Sequence, residues 1–307
     1  MKYVVYQASR RGGRPANEDR VAYAYTSDAL FMVVADGMGG HNHGQIASQM
    51  LVQTMTSLFQ ARAVPLLPNL QGFLLDGIYA AHDAINEYAL RKGLRDPPRT
   101  TCVAAVVQRG TACWAHVGDS RLYHFDKRRL LVRTRDHSAV QQLVEEGMLD
   151  EDQMSLHPDR NKLYNSVGGF ALPDIELSEP VTLKEGDVLM LCSDGVWGEI
   201  KDKEMVSTLR AYPIDRAIRH MLDHAEFRGG RNCDNLSIVA MRYGEEKFDN
   251  DELVLGDDLG LDGFTTQLRQ IGQRATDRKP TREMDIDQAV AEIHSALAKY
   301  GLDKEAQ

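Results

Sequence analysis

The chain has 307 residues, 43% of them hydrophobic and 26% charged, with a formal net charge of −9; that is enough for one large domain or two ordinary ones with a sizeable core, and too acidic to favour nucleic acid, whose binding wants a basic surface. The four cysteines, Cys102, Cys113, Cys192 and Cys233, form no CxxC pair, which argues against a structural zinc site, and they lie in or beside apolar runs, as fits reduced thiols of a cytoplasmic chain. The N-terminal "MKYVVYQASRRGGRP" lacks the apolar core of a signal peptide, and no stretch approaches the roughly 20 apolar residues of a membrane span.

In chain order, "KYVVYQAS" and "RVAYAYTS" are expected strands separated by the turn-rich "RRGGRPANED". "ALFMVVA" is a third, more buried strand, and it stops at a bare aspartate, Asp36, followed by Gly37, Gly39 and Gly40. A charge at the end of a buried run needs a partner. The glycines call for a sharp turn or a close backbone approach. Ala47, Leu51, Thr54 and Leu58 repeat at helical spacing and predict a helix over 44–60; Leu70, Phe73, Leu74, Gly77, Ile78, Ala81 and Ile85 predict a second over 69–92.

A meander follows in "TTCVAAVVQ", "TACWAHVG", "SRLYHFD" and "RLLVRT". "DHSAVQQLVEEG" reads as a helix capped by Asp136 or Ser138. Residues 147–173 are mixed and loop-like, a candidate surface flap. "DVLMLC" is another buried strand, helices are expected over 201–210 and 213–226, and "NLSIVAMRY" closes with a strand. Composition then shifts: "GEEKFDNDELVLGDDLGLDG" holds eight acidic residues against one lysine, the pattern of a solvated linker. Beyond it Ile286, Ala289, Val290, Ile293, Leu297 and Tyr300 share one helical face. The chain therefore divides into a domain over 1–243 and an appendage over 244–307, an acidic linker plus a C-terminal amphipathic helix offering a docking face for a partner or for its own domain.

The device at Asp36 recurs. "VLMLCSDG" gives a buried strand, a small residue, then Asp194-Gly195. Asp119 lies between two strands in "AHVGDSRLY", Asp234 precedes the last strand in "NCDNLSIVAM", and Glu18 and Asp19 precede the second in "RPANEDRVAY". Singly, each has a plain structural role: Asp-Gly is a common turn, and Asp194 is placed to cap a following helix. Jointly, carboxylates ending buried neighbouring strands would converge and repel at a cost of several kcal/mol. A hard divalent cation, which prefers carboxylate, carbonyl and water oxygens, removes the conflict.

"RPANED", "VVADGMGGH", "HVGDSR", "TRDHS", "LCSDGVW" and "CDNLSIV" follow the order and rough spacing of the bacterial type 2C metal-dependent serine/threonine protein phosphatases, a resemblance that covers residues 1–243. The resemblance implies an α+β fold: a four-layer α-β-β-α sandwich with two central antiparallel sheets. It implies two Mn²⁺ or Mg²⁺ ions and a third, weaker one. Asp36 resembles the carboxylate bridging the pair; the Gly37 carbonyl and Glu18 resemble ligands of the second ion, Asp194 and Asp234 of the first. Asp119 with Asp194 resembles the third-ion pair, Asp19 a group behind the ligands, and Arg14 the phosphate-binding arginine. Two such ions acidify a shared water and clamp a phosphate for in-line attack, so no phosphoenzyme is needed. The expected substrates are phosphorylated proteins, and the expected partner is a serine/threonine kinase system.

Animal relatives place a histidine after the Asp-Gly pair; this chain has Met38, and His41 and His43 lie nearby, so the general acid is unassigned. A dinucleotide GxGxxG from Gly37 fails at Asn42, and no GKS/T follows. A thiol phosphatase needs arginine six residues after its cysteine, where this chain has Gln108, Asp119, Gly198 and Val239. Ser120 lacks a nucleophile elbow, and His116 reads as a satisfied sheet histidine. Arg160 and Asn161 read as solvated flap residues. The remaining alternatives are a pseudophosphatase, kept as a phosphoprotein-binding scaffold, and a metal-dependent phosphodiesterase.

Overall fold

The computed structural model describes residues 2–39, 43–244 and 266–267. The chain opens with strands β1 (Tyr3–Arg10), β2 (Arg20–Tyr25), β3 (Ala29–Ala35) and the short β4 (Gly37–Met38), then helices α1 (His43–Arg62) and α2 (Leu70–Arg91). The meander follows as β5 (Arg99–Thr100), β6 (Cys102–Gln108), β7 (Thr111–Val117), β8 (Arg121–Phe125) and β9 (Leu130–Arg133), leading to α3 (Ala139–Glu145). After β10 (Val167–Gly168), β11 (Glu176–Leu177) and β12 (Val181–Thr182) come β13 (Val188–Cys192), the single turn α4 (Asp194–Trp197), α5 (Asp202–Ala211), α6 (Ile214–Gly229), β14 (Leu236–Tyr243) and β15 (Thr266–Gln267).

These strands build two large sheets. One runs β1-β14-β13-β8-β9; the other runs β11-β7-β6-β3-β2-β15, with β12 also on β7. All pairings within them are antiparallel except β15 on β2. The sheets pack face to face because successive residues of a strand point to opposite faces. On β3, Leu30, Met32 and Val34 join the core between the sheets with Leu189, Leu191, Val239 and Met241. Phe31, Val33 and Ala35 turn outward, against Met55 and Leu58 of α1 and Phe73 and Ile78 of α2. Phe31, Phe59 and Phe73 meet there with ring centroids 5.4–5.9 Å apart, and each buried ring contributes about 1.5–3 kcal/mol by transfer. A third core lies between the other sheet and α5 and α6, through Tyr123, Met190, Ile238, Met205, Ile218 and Leu222. The result is a four-layer α-β-β-α sandwich.

Several local expectations shift. Ser138, not Asp136, caps α3, its side chain accepting the Gln141 N–H. Ser193, not Asp194, is the residue before α4, and Asp194 is that turn's first residue. "TTCVAAVVQ" is broken at Thr101, and the freed pair β5 forms a small sheet with β4 and β10. Within 147–173 the structure has a 3-10 turn at Glu151–Leu156 and β10. Of the expected appendage, Thr266 and Gln267 pair with Ala22 and Tyr23; the proposed helix around 286–300 lies outside the described residues. Among the described residues no helix is long and apolar enough to cross a membrane.

Candidate metal centre

The site lies where strand ends of both sheets meet. β3 delivers Asp36, β13 delivers Asp194 through Ser193, the β7–β8 crossover carries Asp119, and the residue pairs before β2 and β14 carry Glu18 and Asp234. Asp36 and Asp194 thus end strands of opposite sheets and converge across the sandwich, not as hydrogen-bonded neighbours. Both side chains line one cleft. A cleft of about 360 Å³ is lined by Arg14, Glu18, Asp36, Gly37, Asp119, Asp194 and Asp234, together with Met38, Asn161, Leu163 and Asn235.

The backbone around each acid is pinned. The Asp36 N–H donates to Thr101 Oγ1 at 2.9 Å, and its carbonyl accepts from Thr101 N at 2.8 Å and Thr100 Oγ1 at 2.9 Å. Gly37 donates its N–H to the Glu18 carbonyl at 3.3 Å. A Cβ on Gly37 would sit 2.2 Å from the Gly44 carbonyl oxygen, and one on Gly44 would sit 2.8 Å from Glu18 Oε2. The glycines therefore serve a close approach between β4 and the start of α1, the second of the two roles glycine plays at such a turn. Asn235 clasps the β1–β2 loop to β14: its Oδ1 accepts the Glu18 N–H at 2.8 Å, and its Nδ2 donates to the carbonyls of Arg11 at 2.7 Å and Ala16 at 3.0 Å.

Among the described residues, five carboxylates face the cleft against one lining cation, Arg14. Arg14 is half exposed and its Nη2 donates to Asp234 Oδ2 at 2.5 Å, which raises its pKa. Burial lifts Asp194 to about 6, with the charge of Asp234 adding to it. Burial also pushes Asp36 and Asp119 well above the usual carboxylate range, helped by Asp19 and Asp194 in turn. Glu18 is raised by burial as well. Asp19 lies behind the cleft, 2% exposed, its Oδ2 accepting from Ser193 Oγ at 2.7 Å and its Oδ1 without a partner; burial lifts it to about 7. Crowded buried acids, an orphaned carboxylate oxygen and an all-oxygen donor set are what a hard divalent cation neutralises.

A second group of ligand-type side chains is differently wired. His116, His137 and Glu176 present atoms within 4.8 Å of one another. The His116 Nε2 donates to the Arg135 carbonyl at 2.6 Å. His137 Nδ1 accepts from Asn165 Nδ2 at 2.7 Å and from Gly118 N at 3.3 Å. The Asn165 amide is oriented by Asp174, which accepts from its Nδ2 and donates to its Oδ1. Both Nε2 atoms therefore carry protons, and the group is a hydrogen-bonded brace, not a ligand set.

The remaining candidates fall away from the cleft or into structural roles. Ser120 Oγ shares a hydrogen bond of 2.7 Å with Thr101 Oγ1. All four cysteines are buried and free, with thiols raised by burial. His43 begins α1 and His41 lies outside the described residues. Asn161 is exposed, as expected, and also lines the cleft wall with Leu163. Thr100, Thr101, Asn235 and Leu163 are the site-shaping residues that the motifs left unassigned.

A family model described as Protein phosphatase 2C matches residues 7–231. The serine/threonine phosphatase stp of Listeria welshimeri serovar 6b is 29% identical over 237 residues, covering 76% of this chain and 93% of its own. The S. agalactiae serine/threonine phosphatase superposes with a TM-score of 0.69 at 28% identity, over 78% of this chain and 99% of its own. The catalytic domain of serine threonine protein phosphatase PstP, in complex with 2 manganese ions, gives a TM-score of 0.67 at 25% identity, over 78% of this chain and 97% of its own.

Proposed function

The chain belongs to the protein phosphatase 2C family, and from that premise we propose that it hydrolyses phosphoserine and phosphothreonine in proteins with the help of divalent cations, opposing a bacterial serine/threonine kinase. Catalysis is confined to residues 1–243, and 244–307 is an appendage. The observation that carries this reading is the gathering of Glu18, Asp36, Asp119, Asp194 and Asp234 in one cleft, where burial holds Asp36, Asp119 and Asp194 above the usual carboxylate range. Asp36 would bridge two ions, with Glu18 and the Gly37 carbonyl on one and Asp194 and Asp234 on the other; Asp119 and Asp194 would hold a weaker third. When bound, Mn²⁺ or Mg²⁺ acidifies water and offsets charge on the phosphate oxygens.

The chain's own groups do the rest. Arg14 presents a planar guanidinium whose two N–H edges match a phosphate's oxygens and offset charge as it builds in the transition state. Asp19 backs the cleft, its Oδ2 accepting from Ser193 Oγ, and so steadies the residue that precedes Asp194. Thr100 and Thr101 hold the Asp36 carbonyl and N–H so that its carboxylate does not follow the substrate. Among the described residues no cysteine, serine or histidine lines the cleft, which supports attack by water over a thiol, hydroxyl or imidazole nucleophile.

The test is release of phosphate from p-nitrophenyl phosphate and from phosphoserine or phosphothreonine peptides with Mn²⁺. Loss with EDTA and with Asp36→Asn or Asp194→Asn is expected; activity that persists in all three sinks the metal reading. A diester cleaved faster than the phosphopeptide favours a phosphodiesterase, and phosphate trapped on a side chain refutes direct attack. Every acid of the resemblance lines or backs the cleft, so nothing favours a scaffold. Deleting 244–307 should spare activity on small substrates.

A further inference from the structure

Asp119 and Asp194 line the same cleft. Two acids that repel must be held in place by something other than each other. Trp197 holds the backbone of Asp119: its indole Nε1–H donates to the Asp119 carbonyl at 2.9 Å. Trp197 closes the four-residue turn α4 that Asp194 opens. One helical turn thus carries a carboxylate at its first position and grips the main chain of the other carboxylate from its last.

The indole is itself pinned. The Arg121 guanidinium stacks on its ring 3.6 Å from the centroid, and Arg121 is held flat by a fork to Asp136, Nε at 2.7 Å and Nη2 at 2.8 Å. Arg121 Nη1 adds a 3.3 Å contact to the Tyr123 hydroxyl. The Arg121 and Asp136 side chains are 6% and 1% exposed, so this stack sits in a low-dielectric setting where both the cation–π contact and the fork are strong. On the other side of Asp119, Ser120 bonds Thr101, which also receives the Asp36 N–H.

We propose that Trp197 is a positioning residue that fixes the spacing of Asp119 and Asp194, and so sets the affinity of the weaker third cation while leaving the bridged pair alone. The inference rests on the metal-centre reading above. The geometry favours selectivity because Trp197 bonds only the Asp119 side of the pair; Asp36, Glu18 and Asp234 are secured by Thr101 and Asn235 instead.

The experiment is calorimetric titration of Mn²⁺ into the metal-stripped full chain. Wild type is expected to show two tight sites and one weaker. Trp197→Phe keeps a ring under Arg121 but loses the N–H; its weak site should loosen about tenfold, the worth of one net hydrogen bond, with the tight sites unchanged within about twofold. Arg121→Lys keeps the charge but not the stacked fork, and should weaken the same site in the same direction; it carries the test if Trp197→Phe fails to fold. Variant isotherms that superimpose on wild type, or that weaken all sites together, overturn the proposal. A wild-type chain that binds no Mn²⁺ overturns the metal-centre reading itself, which is a different result.

Discussion

Arg121 and Asp136 bury one charge of each sign and satisfy both inside the chain; buried Asp119 and half-buried Asp36 and Asp194 crowd charges of one sign that repel. The two groups are joined by Trp197, yet they follow opposite physics. A buried pair is costly to break, because removing one partner strands the other. A buried cluster of one sign is costly to keep, and is retained only where something outside the protein balances it. The paired group is architecture, and the unpaired group is a demand for a ligand.

Swapping one carboxyl for an amide in each group gives the sharpest contrast. Asp136→Asn leaves Arg121 buried and unpaired, and should cost about 3–5 kcal/mol of stability, read as a lower melting temperature with and without Mn²⁺. Asp36→Asn should remove activity by at least about 10²-fold, yet the EDTA-treated protein should melt no lower than wild type, because a repelling charge has gone. An Asp36→Asn chain as unstable as Asp136→Asn would erase the distinction.

The pH dependence comes next. Asp194 at about 6 and Asp19 at about 7 stand above the ordinary 3.8 that applies when the chain unfolds. Between those values the folded form holds protons that the unfolded form has released, so stability falls as pH rises. In EDTA the melting temperature should drop on going from about pH 5 to about pH 7.5. Saturating Mn²⁺ should flatten or reverse that slope; a flat profile in EDTA would show that the acids ionise freely. The smallest effect on stability is expected at Arg14. Its ion pair with Asp234 is half exposed, so Arg14→Ala should change stability by less than about 1 kcal/mol. Activity on a phosphopeptide should nonetheless fall, and Arg14→Lys should not restore it, since a point charge cannot replace a fork.

Much of this site was legible because apolar runs stop at acids. "FMVVADG" and "VLMLCSDG" each announce a buried strand whose last polar group faces away from the core, and six ordered motifs gave those acids a common purpose. What could not be read was which sheet each strand enters. Both faces of β3 and β13 are buried, so the polar–apolar alternation that assigns faces is missing, and the sequence leaves open whether Asp36 and Asp194 end neighbouring strands or, as they do, strands of opposite sheets. Thr101 is equally hidden: a threonine in a run of valine and alanine looks like a strand residue, and only its bonds to Asp36 and Ser120 separate it from one. Trp197 and Asn235 sit inside quoted motifs, but their work is done through main-chain atoms of distant residues, which no local pattern encodes.

The main-chain contact between Gly37 and Gly44 sets a limit on redesign. A methyl group at either position displaces the start of α1, and with it Ser48, whose hydroxyl bonds the Glu18 carbonyl. A library meant to widen the cleft for bulkier phosphoesters should therefore treat that glycine pair as fixed and vary Asn161 and Leu163 on the flap-side lip, where side chains form the wall.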